Sequence, residues 1–281
     1  MDGLGGEVRV TAVGDCGVDR YLDRGQDRPG GITLNFAVNA RRLFPPGDTV
    51  GVVTALGSDA GSGLVRRALA EFGLDACIAA LEGATSIQYI DRQPSGEKIF
   101  VRYEEGVLGG YRLGARERAI IADSDLLMAV VYAQIEGLFD SVMESPSRGL
   151  RAVDFGDLAG VTGGLGIVAR YLEAFHVGFF GLTAADGDGI GYLGRVARDS
   201  GRLLVVTLGG DGSLALAGDE RIACPAEPVG RVIDTTGAGD AFAAGFLREY
   251  CESGRIGESL AAGAREGATA VQGVGAFPWD A

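Results

Sequence analysis

Ten residues from Ile233 to Phe242, IDTTGAGDAF, combine a glycine turn, a helix start and a carboxylate. Gly237 and Gly239 suit the turn, Asp234, Thr235 and Thr236 suit an N-cap region, and Asp240 opens the apolar run AFAAGFL, which reads as a helix. The first N–H groups of such a helix have no partner inside it, and the macrodipole adds partial positive charge, so the turn favours an anion such as a phosphate. A carboxylate there would repel the anion unless its task is to accept a proton from an attacking hydroxyl. The chemistry implied is phosphoryl transfer to an alcohol, with Gly237, Ala238, Gly239 and Asp240 as an anion hole and Asp240 as the base. Read blandly, GAGD is a glycine-rich helix start with an acidic first turn. The β-rich run before it, the long helix after it and a second glycine pair at Gly30-Gly31 favour the chemical reading.

Composition removes several alternatives. A net charge of −13 argues against nucleic acid, whose binding rests on Lys and Arg neutralising phosphates. Lys98 is the only lysine and His176 the only histidine, and no GKS or GKT occurs, which excludes P-loop chemistry, strand-lysine chemistry and multi-histidine metal sites. His176, at the head of HVGFF, is expected to be structural. Cys16, Cys77, Cys224 and Cys251 form no CxxC pair, so buried thiols are expected rather than disulfides or zinc. The longest apolar candidate, LLMAVVYA at 126–133, is too short to span a membrane, and MDGLGGEVR lacks a basic-then-apolar signal pattern. A cytoplasmic protein is expected.

The elements that must position the motif follow from periodicity. With 281 residues and 47% apolar content, one large α/β unit can fill its core. Val8–Val13 reads as a first parallel strand, with Asp15, as a turn residue, and Asp19 just past its carboxyl edge. TLNFAVNARRLF reads as a helix capped by Thr33, placing Asn35 and Asn39 one turn apart on one face. Val50–Leu56 and Asp59–Gly73 read as a βα unit, and strands near 127–131, 151–155, 176–180 and 203–208 continue the alternation. SIQYID and KIFVRY instead alternate around the turn-rich QPSG, which predicts a hairpin with Ile87, Tyr89, Ile99, Val101 and Tyr103 on one face. That face needs a cover, and a homodimer would supply one. Glu104 and Glu105 follow the hairpin and could meet a cation or form a solvated acidic turn. The final helix is expected near Gly257–Gln272.

DTTGAGDAF resembles the C-terminal signature of the PfkB (ribokinase-like) family of sugar and nucleoside kinases, and Gly30-Gly31 followed by Asn35 resembles its N-terminal substrate signature. VGDCGVDRY, GGITLNFAV, YEEGV, VTLGGDGS and DTTGAGD occur in that order at family-like spacings, so the likeness covers nearly the whole chain and leans toward the fructoselysine 6-kinase branch. The resemblance implies a single domain over 1–281, a ribokinase-like three-layer α/β sandwich with a mostly parallel central sheet and a small β lid built from segments near 16–34 and 84–108. It implies ATP and Mg²⁺ as cofactors, with room for a monovalent cation, and dimerisation through the lid. By the same resemblance Asp19, Gly30, Gly31 and Asn35 bind the sugar, Thr207, Gly209, Gly212, Ala264 and Gly267 bind ATP, and Asp186 organises the metal through water. The implied reaction is transfer of the γ-phosphoryl group to a fructosamine such as fructoselysine at its 6-hydroxyl, with Glu104 and Glu105 toward the ammonium of its arm; no residue is committed to the arm's carboxylate, although Arg20, Arg24 and Arg102 lie in or near lid segments. Fructose, ribose or adenosine are alternative acceptors, and a non-catalytic ATP or sugar sensor is the alternative of another class. Three departures stand out: Ile32 where the family often has a polar residue, Thr183 where its Asn-x-x-Glu motif has Asn, and no asparagine in the final helix.

Overall fold

The computed structural model describes residues 7–92, 98–158 and 160–279. β1 (Arg9–Val13) leads into a hairpin, β2 (Gly17–Tyr21) and β3 (Gln26–Gly30), before α1 (Ile32–Leu43). A βα unit follows, β4 (Thr49–Leu56) and α2 (Ala60–Glu71), then β5 (Asp75–Ala80) and a second hairpin, β6 (Ile87–Arg92) and β7 (Lys98–Glu104). Alternation resumes with α3 (Ala115–Ala122), β8 (Leu126–Val130), α4 (Glu136–Met143), β9 (Leu150–Asp154), α5 (Gly166–Arg170), β10 (Val177–Gly181), α6 (Gly187–Ser200) and β11 (Leu203–Thr207). An antiparallel pair, β12 (Ser213–Ala217) and β13 (Glu220–Cys224), precedes α7 (Ala238–Ser253) and α8 (Ile256–Ala270). Among the described residues no helix is long and apolar enough to cross a membrane.

The large sheet runs β13-β12-β11-β10-β9-β8-β1-β4-β5, parallel from β11 to β5. Its strands are continuous apolar runs because both faces are covered. Alternate residues go to opposite layers: Leu126 and Met128 pack with α1 and α7 residues such as Phe36 and Phe246, whereas Leu127 and Ala129 pack with Phe139 of α4 and Leu193 of α6. β1 lies between β4 and β8, so the chain leaves it in opposite directions and opens a crevice at the carboxyl ends of the strands, where ligands gather in such sheets.

A separate small sheet, ordered β3-β2-β6-β7, forms a lid over that crevice. Its two hairpins join through a parallel β2–β6 pairing. The hairpin expected around QPSG is present as β6 and β7, and its turn lies outside the described residues. The single apolar face expected on it is not: the register skips Val101 between the Tyr89–Arg102 and Ile90–Phe100 pairs, and this bulge breaks the alternation. Ile90 is buried, while Phe100 and Val101 are exposed.

Candidate active site

Asp240 sits in the first turn of α7, buried at the floor of the crevice. Asn35, in the first turn of α1, donates from Nδ2 to Asp240 Oδ2 at 2.8 Å, and Asn39, one turn on, donates to the carbonyls of Asn35 and Ala276. Burial and the neighbouring charge of Asp154 push the Asp240 carboxyl well above its usual range, with the Asn35 hydrogen bond opposing. A carboxyl with a raised pKa is a stronger proton acceptor than a solvated one.

Gly237 precedes α7 with φ 73°, and a Cβ there would lie 2.1 Å from Ala276 Cβ, so the turn tolerates only glycine on both grounds. Asp234, Thr235 and Thr236 do not cap this helix. Asp234 instead accepts from Thr236 N and Oγ1 at 3.0 and 2.7 Å, from Gly275 N at 3.0 Å and from the Tyr21 hydroxyl at 2.9 Å, which fixes the loop before the turn.

Gly30 and Gly31 are required by two carboxylates. A Cβ on Gly30 would fall 2.3 Å from the Asp19 carboxyl carbon, and one on Gly31, at φ 96°, would fall 2.7 Å from the Asp15 carbonyl oxygen. Asp19 on β2 is thereby laid against the β3 end facing the crevice, where burial and the charge of Asp15 push it up to about 7. Asp15 is more than a turn residue: its carboxylate accepts from Ile32 N and Thr33 N and so caps α1 from outside the helix. Thr33, the expected cap, is fully buried with its hydroxyl unpartnered, because the helix begins at Ile32. Tyr132 also hydrogen-bonds Asp15, and its hydroxyl oxygen lies 2.7 Å from the hydroxyl of Tyr103 of the lid.

Sequence reasoning missed Asp154. It ends β9 at the carboxyl edge of the sheet, is buried, and rises to about 6 through desolvation, opposed by a hydrogen bond from Gly156 N at 2.7 Å. Its place at a strand end followed by glycine was the available signal. Lys98 and Tyr21, which reach the Asp234 loop from the lid, were also missed, since nothing local marks them.

Glu104 is not in the crevice. Glu104 accepts from the Tyr89 hydroxyl at 3.0 Å and pairs with Arg102 at 3.1 Å, on the lid face opposite Asp19 and Tyr21, and Glu105 is exposed where the strand has ended. The same outer face carries the cross-strand row Arg20, Tyr89, Arg102, in which both guanidiniums lie over the tyrosine ring. Arg20 is held in two hydrogen bonds by Asp27, and Arg24 pairs with Asp23.

Thr207, Gly209, Gly212, Ala264 and Gly267 line one cavity of about 370 Å³ between the β11 end and α8, closed by Val232, Phe242 and Val271 and reaching Gly239 of the anion turn. Its shape and its apolar walls meeting a helix N-terminus fit a flat base with phosphates directed at α7. Asp186 lies apart and exposed, its carboxylate held below the usual range by hydrogen bonds from Thr183 Oγ1 and N, so Thr183 shapes the turn where an asparagine was expected. Among the described residues no three ligating side chains converge on a metal position. His176 is structural, accepting from Arg151 N at its Nδ1.

The family profile described as pfkB family carbohydrate kinase matches residues 190–279. The chain is 30% identical over 275 residues to the fructosamine kinase FrlD of Bacillus subtilis, spanning 96% of this chain and 93% of that one. It is 29% identical over 271 residues to the fructoselysine 6-kinase of Escherichia coli, spanning 95% and 99%. Among solved structures, the nucleoside kinase of Methanocaldococcus jannaschii superposes with a TM-score of 0.77 at 18% identity, covering 97% of this chain and 94% of that one.

Proposed function

The chain belongs to the PfkB family of carbohydrate kinases, and from that premise we propose that it phosphorylates a fructosamine such as fructoselysine at the 6-hydroxyl, with Mg·ATP as donor. Asp240 takes the proton of the attacking hydroxyl while the N–H groups from Gly237 to Asp240 receive the phosphoryl oxygens. Asp19, Asn35 and the Gly30-Gly31 backbone hold the sugar, and the cavity beside α8 holds adenosine. The lid covers the crevice and pairs with a second copy in a cytosolic dimer.

The observation that carries the substrate assignment is the charge of the crevice itself. Asp15, Asp19, Asp154 and Asp240 are all buried there, and all are pushed above the usual carboxylate range. Such a crowd favours a cationic guest over a neutral sugar, because an ammonium lowers the energy of every ionised neighbour. The amine of a fructosamine sits at C1, close to the ring. It can therefore be read inside the crevice, which replaces the outward-facing Glu104 in that role.

Steady-state kcat/KM with Mg·ATP for fructoselysine, fructose, ribose and adenosine tests the assignment. Fructoselysine is expected to lead. A tenfold preference for plain fructose or ribose, about 1.4 kcal/mol in transition-state terms, would show that the amine is not read.

A further inference from the structure

The lid meets the phosphoryl turn at a contact that neither substrate site accounts for. Lys98, the only lysine of the chain, opens β7, and its ammonium donates to Thr236 Oγ1 at 2.9 Å and stands 3.8 Å from Asp234 Oδ1. Tyr21, from β2, donates to Asp234 Oδ2 and lies 3.1 Å from Thr236 Oγ1. Both lid hairpins therefore end on the same two residues. The contact is enclosed, with the lysine side chain 10% exposed and the aspartate side chain fully covered. Hydrogen bonds from Thr236, Gly275 and Tyr21 hold the Asp234 carboxyl below its usual range against the effect of burial, so it faces the ammonium as an anion.

An ammonium is removed from water at this depth only where a carboxylate and a hydroxyl are in place to receive it. The contact thus exists only while the lid lies on the turn. Thr236 directly precedes Gly237, whose left-handed backbone aims the first N–H groups of α7. With the lid raised, Lys98 and Tyr21 leave together, and the loop keeps its internal bonds, the Gly275 N–H and the Val271 carbonyl that receives Ile233 N and Asp234 N.

We propose that Lys98 is a positioning residue for phosphoryl transfer: it couples the lid to the anion hole, so that the turn adopts its receiving geometry when the crevice is covered. The transfer site is then complete only when water is shut out, which ties chemistry to the sugar acceptor. Lys98 acts through Thr236 and Asp234 and need not touch either substrate.

The proposal rests on assigning the Gly237 turn to the phosphoryl group, and Asp240→Asn tests that assignment separately. Lys98→Met keeps the stem and removes the charge. Its kcat is expected to fall by about tenfold or more, as small misplacements of reacting groups do, with KM for ATP and Tm nearly unchanged. In Lys98→Ala, methylammonium or ethylammonium should restore kcat saturably, while sodium chloride at equal ionic strength should not. Rescue of this kind is not expected of a residue that merely packs the lid. If Asp240→Asn abolishes turnover and Lys98→Met stays within twofold of the parent, the coupling is overturned and the phosphoryl assignment stands. A loss in both lysine variants that no amine restores assigns Lys98 to lid packing and also overturns it. Near-normal turnover by Asp240→Asn removes the assignment beneath both.

Discussion

Asp240 illustrates how one carboxyl can be made basic without a histidine. It lies beside Asn35, which donates to it, and near Asp154, whose charge opposes its ionisation. Asp240→Asn preserves shape and removes the proton acceptor, so kcat should fall roughly 10²- to 10⁴-fold with nucleotide affinity little altered, measured by steady-state turnover and ATP titration. Variants at Gly30 would act differently, since any side chain there displaces the Asp19 carboxylate rather than the base. The GAGD turn and the glycine pair were legible in the sequence because each is a local demand: a backbone shape, or a missing side chain, is written at the position that needs it. Asp154 was less so. Its role depends on β9 ending beside α7, which no stretch of sequence near it declares.

The edge strands β5, β12 and β13 of the large sheet were not foreseen. Its other six strands, β1, β4 and β8 to β11, were readable, since burial on both faces leaves uninterrupted apolar runs, and observed ends differ from expected ones by a residue or two. The lid was not. Its alternation suggested one apolar face, but the bulge at Val101 divides it, and Glu104 at the end of β7 turns out to face away from the crevice. The contacts of Tyr21 and Lys98 with the 234–236 loop bridge 213 and 138 positions, a separation at which pattern carries no information. What the lid does offer outward is Leu22, Phe100 and Val101, exposed with β7 at the sheet edge. An edge strand with exposed apolar residues invites pairing. Light scattering at micromolar concentration should therefore report two chains, and the mass of one chain would count against the lid as the interface.

At the scale of the molecule the crevice acids should govern stability. Asp19, raised to about 7, and Asp154, raised to about 6, bind protons more tightly folded than unfolded, where both sit near 3.8. A raised carboxyl loses its stabilising contribution as pH climbs from the unfolded value through the folded one, so the ligand-free enzyme is less stable above neutrality. Asp59 and Asp234, lowered from 3.8, change only in stronger acid, and His176, lowered from 6.5 by burial, opposes the trend only below that value. Calorimetry should give a higher Tm at pH 6.5 than at about pH 8, with Asp19→Asn reducing the difference. A Tm that falls on this acidification would show that the crevice acids are ionised throughout. The segment Gly275–Phe277 has a consequence of another kind. It supplies the N–H that holds Asp234, the methyl that underlies Gly237, and carbonyls that receive Asn39 and Arg28. A ribosome delivers the chain from its amino end. Sheet, lid and α7 can all be built before residues 275–277 arrive, so the Gly237 turn gains its floor last, and a chain cut before Gly275 is expected to lack turnover.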